Sequence, residues 1–105
     1  MANKLSYSSI LSSRAQKEIA ISWEWYEERL QGLGDRFVME VVSRIMDIEN
    51  NPERYPTRFK SYKEISTTTF PFLIIYRINT REKSIRIVSV FHTSRNPKNE
   101  IQVIC

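Results

Sequence analysis

Apolar positions change their period twice along this chain, and the changes divide it into elements. At the start, Leu5, Tyr7, Ser9 and Leu11 alternate with Ser6, Ser8 and Ile10, which predicts a short strand over 5–11. Ser13-Arg14-Ala15-Gln16 then reads as a capping box with Ser13 as N-cap. Ala15, Ile19, Trp23, Tyr26 and Leu30 follow at spacings of four, four, three and four, so they share one helical face, and Gly32 supplies a stop. Trp25 lies off that face beside Glu24, Glu27 and Glu28 and is expected to pack against the next helix. That helix is predicted from Asp35, a competent N-cap, to Asn50, with Phe37, Val38, Val41, Val42, Ile45 and Ile48 as its apolar stripe and Asn51-Pro52 as its end. Only the segment 32–34 separates the two helices, so they must form an antiparallel hairpin.

Beyond Pro56 the pattern becomes extended. Lys63 to Phe70, with threonine at 67, 68 and 69, predicts a strand that stops at Pro71. Phe72 to Ile78 is a nearly unbroken apolar run, the pattern of a strand inside its sheet. A polar loop over 79–83 leads to a partner in which Ile85, Ile87, Ser89 and Phe91 alternate with Arg86, Val88, Val90 and His92. The expected fold class is α+β: an N-terminal strand, then an antiparallel helical hairpin packed on an antiparallel sheet that ends in a three-stranded meander. At 105 residues the whole chain, 1–105, is expected to be one domain.

Composition narrows the function classes. The single cysteine, Cys105, rules out an intramolecular disulfide, no apolar run reaches membrane-helix length, and the first residues lack a signal-peptide core. A cytoplasmic protein is expected, with no membrane contact. Two glycines are too few for a Gly-rich phosphate loop, and no cofactor or metal is expected. Residues 1–50 hold six Lys/Arg against eight Asp/Glu, a balance of −2, whereas residues 51–105 hold ten against four, a balance of +6. Such a half would hold phosphate or an acidic polypeptide. Exposed strands also carry Lys and Arg for solubility, and charge alone does not separate the two.

Phe70-Pro71-Phe72, Tyr76-Arg77 at the end of the apolar strand, and His92-x-x-Arg95-x-Pro97 at the exit of the hairpin resemble the C-terminal hairpin of the RelE/ParE toxin superfamily, closest to its ParE branch. The order of elements over nearly the whole chain is similar as well. The resemblance implies the toxin of a type II toxin-antitoxin system, associated with plasmid stabilisation and growth arrest. It implies a cognate antitoxin whose acidic, amphipathic segment wraps the toxin in a hetero-oligomer, and a target that is DNA gyrase in the ParE branch or ribosome-bound mRNA in the RelE branch.

Metal-independent RNA cleavage needs a base at the 2′-hydroxyl, positive charge at the phosphate and an acid for the leaving oxygen. His92, the only histidine, is the candidate acid or base, and Arg95 the candidate phosphate clamp, with Arg77 or Arg86 assisting. Each also has a plain structural reading: His92 ending a strand with local hydrogen bonds, Arg95 pairing with Glu100. Tyr62 among Lys60 and Lys63 could stack and neutralise nucleic acid, or be ordinary loop surface. The segment after Arg95 contains no Tyr or His, where nucleolytic relatives usually place one, so ParE-like inhibition of gyrase is favoured over an RelE-like endoribonuclease. A third reading is a non-toxic, degenerate member that acts as an interaction partner.

Overall fold

The computed structural model describes residues 7–94, so the first part of the predicted strand and everything from Arg95 onward lie outside the described residues. The elements are β1 (Ser8–Leu11), α1 (Ser13–Arg29), α2 (Leu33–Asn50), a 3-10 turn (Pro52–Arg54), β2 (Thr57–Phe59), β3 (Tyr62–Ser66), β4 (Phe72–Asn79) and β5 (Ser84–His92). They form one five-stranded sheet in the order β1-β5-β4-β3-β2. β1 runs parallel to β5 and every other pair is antiparallel. A parallel pair requires a crossover, and the helical hairpin leads the chain from β1 into it. The predicted α+β class is therefore what is observed. Two features were absent from the prediction: the edge strand β2, too short to show a period, and the parallel pairing of β1.

The helices cover one face of the sheet. Tyr26 of α1 and Phe37, Val41 and Ile48 of α2 meet Phe72, Ile74 and Tyr76 of β4 and Ile85, Ile87 and Val90 of β5 in a single core. Tyr26, Phe37, Phe70 and Phe72 form its aromatic centre, with Phe37 and Phe72 only 4.6 Å apart between centroids. Tyr76 is fully buried, yet its hydroxyl donates to the Pro52 carbonyl at 2.7 Å, which ties β4 to the exit of α2 and keeps a buried polar group satisfied.

The helix starts differ from the sequence expectation. Ser12, not Ser13, caps α1: its hydroxyl accepts from the Ala15 amide at 3.0 Å and donates to the Val88 carbonyl at 2.7 Å, so tertiary contact with β5 chooses between two adjacent serines. α2 is entered through Gly32 at φ 90°, with Leu33 as its first residue and Asp35 inside the first turn. The Asp35 side chain instead takes the Trp23 indole N–H at 2.9 Å. A Cβ on Gly34 would lie 2.5 Å from the Trp23 carbonyl oxygen and 2.7 Å from its ring, so the helices approach where no side chain intervenes. It is thus Trp23 that reaches α2. Trp25, 40% exposed, has the Tyr26 ring edge-on and the Arg29 guanidinium 3.5 Å over its face.

The three threonines do not continue β3. The Thr67 amide donates to the Phe72 carbonyl and its hydroxyl to the Phe70 carbonyl, turning the chain before β4. Glu40 of α2 holds this turn by accepting from the Thr68 hydroxyl at 2.7 Å and the Thr69 amide at 2.6 Å. Burial pushes the Glu40 carboxyl up, but hydrogen bonds from the Thr68 hydroxyl and the amides of Thr69, Thr68 and Phe70 outweigh it and hold the pKa below its ordinary 4.5.

One irregularity sets the faces of β5. Tyr76 opposes Ile87 and Ile75 opposes Ser89, so Val88 is an extra residue and the alternation inverts there. Val90 rather than Phe91 joins the core with Ile85 and Ile87, a correction to the regular alternation read from the sequence.

Candidate functional site

The bulge decides where the predicted site residues point. His92 pairs directly with Phe72, a core residue of the helix-covered face, and their rings meet edge-to-face at 5.2 Å. The Ser94 amide donates to His92 Nδ1 at 3.2 Å and its hydroxyl lies 2.9 Å from the same nitrogen, the local hydrogen bonding of a strand end.

Arg77 and Arg86 are elsewhere. They oppose each other on β4 and β5 at the other end of the same hairpin. Arg77 follows inward-facing Tyr76, so it lies on the face away from the helices, and Arg86 shares that face. Six residues of strand separate Arg86 from His92, about 20 Å at strand rise. Among the described residues the structure therefore brings Arg77 and Arg86 together and parts both from His92. Arg95 and Pro97 lie outside the described residues.

The remaining candidates divide between the two faces. Tyr62 is a close neighbour of Arg77, whose guanidinium carbon lies 5.4 Å from the ring centroid. Lys63 opposes Tyr76, hence faces the helices, and its ammonium donates to the Tyr55 carbonyl at 2.9 Å. Lys60 takes φ 52° in the β2–β3 turn with its ammonium 5.5 Å over the Phe59 ring, so the turn fixes its place.

Two further surfaces appear only in three dimensions. A groove of about 660 Å³ at the β4–β5 turn is lined by Ile10, Arg77, Arg81, Glu82, Ser84 and Arg86, among others, with Ile10 opposite Arg86 across the β1–β5 pair. Arg81 had read only as part of a polar loop. On the helical side, Leu11, Ile19, Ala20, Trp23 and Val38 line a depression of about 350 Å³, and Val38, Met39, Val42 and Met46 line another of about 380 Å³. Val38 belongs to both, so they form one apolar track along the outside of the hairpin. Met39, Val42 and Met46 are 69%, 49% and 56% exposed. The sequence signal for it was available: Val42 and Met46 stand one turn apart, but Val42 counted among core positions because an amphipathic stripe wider than one core needs looks the same on paper.

The outer face also holds the Arg58–Glu64 pair at 2.5 Å, with the Arg58 guanidinium 5.8 Å over Phe91. Among the described residues no group of His, Cys, Asp and Glu could hold a metal ion, and no helix is long and apolar enough to cross a membrane.

Residues 10–97 match the family described as ParE toxin of type II toxin-antitoxin system, parDE. The chain belongs to this toxin family. No curated protein matches it in sequence. Among solved structures, the chain is similar to the chromosomal ParDE toxin-antitoxin system from P. aeruginosa, with TM-score 0.72 and 13% identity over 83% of this chain and 96% of that one. It is similar to the isolated E. coli RelE toxin, with TM-score 0.64 and 16% identity over 93% and 96%. A third is the intact E. coli RelBE toxin-antitoxin complex, at TM-score 0.63 and 16% identity over 86% and 100%. These likenesses establish the fold that the RelE/ParE resemblance implied, and membership of the family makes the chain a type II toxin component.

Proposed function

We propose that this toxin arrests growth by ParE-like inhibition of DNA gyrase and replication, without cleaving RNA, and that a cognate antitoxin neutralises it in a hetero-oligomer. The observation that carries the first half is the separation of His92 from Arg77 and Arg86: the two guanidinium groups expected to assist at the phosphate lie about 20 Å from this proton-transfer group and on the other face, so neither shares a phosphate with it. What remains at Arg77, Arg86 and Tyr62 suits contact with a target rather than acid-base chemistry.

For the antitoxin, the apolar track on the helical hairpin is the natural dock. An amphipathic helix lays its apolar face into such a groove, with anchors one turn apart matching Trp23, Val38, Val42 and Met46. Two of the similar structures are described as a toxin-antitoxin system and a toxin-antitoxin complex, which supports a partner of this kind. A single domain of this size gains stability from any partner that binds only its folded state.

The test is induced expression in a bacterial host, with primer extension on translated mRNA, plasmid supercoiling and the DNA-damage response read together. Arrest with intact mRNA and a damage response is the expected result. Codon-positioned cleavage of mRNA would overturn it in favour of the RelE-like reading, and absence of arrest would leave a binding-only protein.

A further inference from the structure

We propose that the groove at the β4–β5 turn, built by Arg77, Arg81 and Arg86, binds the phosphodiester backbone of nucleic acid. Four of the six arginines elsewhere in the described part of the molecule lie within ion-pair distance of a carboxylate: Arg14 of Glu18, Arg29 of Glu28, Arg44 of Asp47 and Arg58 of Glu64. The three groove arginines have no carboxylate at ion-pair distance among the described residues. Three guanidinium groups against the single carboxylate of Glu82 leave a charge of +2 in one groove. Arg77 and Arg86, moreover, oppose each other across the strand pair, and like charges placed so work against the sheet. An anion lying between them removes that repulsion.

The chemistry of the groove favours phosphate over a carboxylate side chain. The guanidinium fork presents parallel donors that match two phosphate oxygens, and Ser84 and Thr80 add neutral hydroxyl donors beside it. Arg77 lies against Tyr62, which gives an adjacent aromatic ring on which a base can stack. An acidic amphipathic segment would need an apolar track as well, and the molecule carries that track on its helical side, across the sheet from the arginines. The inference goes beyond the proposed function, since both gyrase bound to DNA and a translating ribosome offer such a backbone. Its failure would leave the growth-arrest and antitoxin tests untouched.

The test is fluorescence anisotropy of a labelled single-stranded oligonucleotide of about 20 nucleotides, long enough to span one site, titrated with the full chain at several salt concentrations. The combined change of Arg77→Ser, Arg81→Ser and Arg86→Ser is expected to weaken binding by at least about 30-fold and to lower the slope of log K against log salt by about two to three. A charge-matched control, Lys17→Ser with Arg36→Ser and Arg54→Ser, is expected to change both far less. Arg81→Ser alone, on the exposed turn, carries the test should the triple variant fail to fold, with an expected slope change of about one. Equal losses in the control, absence of salt-dependent binding by the unaltered protein, or displacement of the oligonucleotide by polyglutamate at equal charge would each overturn the proposal, the last by assigning the groove to an acidic polypeptide.

Discussion

His92 and Tyr76 illustrate how a single residue changes its meaning once its face is known. His92 is the only histidine, and on chemistry alone it is the natural acid or base. In the folded chain it is an aromatic neighbour of Phe72. Replacement by alanine is expected to leave growth arrest intact and to cost about 1 kcal/mol, the worth of an edge-to-face ring contact. Growth curves after induction, paired with thermal unfolding, check this; a folded variant that no longer arrests growth would return His92 to the active surface. Tyr76 is the reverse case. It read as half of a Tyr-Arg motif, yet it is a structural residue whose burial pushes its phenol up and whose hydroxyl serves the Pro52 carbonyl. Tyr76→Phe keeps the packing and strands that carbonyl, for an expected loss of about 1 to 2 kcal/mol in urea unfolding with growth arrest retained.

Among the elements, the helical hairpin depends on close approach and the β3–β4 turn on one carboxylate. Gly34→Ala would drive a methyl group into the Trp23 backbone, which is rigid, so the expected cost is about 2 to 3 kcal/mol by thermal or urea unfolding. Gly32→Ala meets no atom and instead carries the left-handed backbone penalty, about 1 kcal/mol. Glu40 gives the turn a pH dependence. Its folded pKa lies below the ordinary 4.5, so the unfolded chain binds more protons in that range, and the contribution of Glu40 is full above 4.5 and lost as pH falls through the folded value. The melting temperature should therefore fall on acidification below 4.5 less steeply in Glu40→Gln than in the unaltered protein. Equal acid slopes would show that Glu40 does not couple the turn to α2.

At the scale of the whole molecule, the sheet separates the apolar track on the helical hairpin from Arg77 and Arg86 on the outer face, and a different partner is proposed for each. Val42→Asp, at a half-exposed position of the apolar track, is expected to leave folding unchanged and to weaken antitoxin binding at least tenfold, the effect of a charge desolvated at a helix-in-groove contact. Calorimetric titration with the purified antitoxin checks it, and unchanged affinity would place the antitoxin on another surface. Periodicity alone determined the two helices, the apolar strand β4, the hairpin it makes with β5 and the α+β class, because local burial pattern follows directly from 3.6- and 2-residue repeats. The family motifs Phe70-Pro71-Phe72 and Tyr76-Arg77 were equally legible, being contiguous. What the sequence left open depended on contacts distant along the chain. The choice of Ser12 as cap was made by the Val88 carbonyl, the end of β3 by Thr67 and Glu40, and the parallel seat of β1 by β5. Above all, one extra residue at Val88 turned His92 away from the arginines, and a phase shift set by strand pairing has no signature in the residues that it moves.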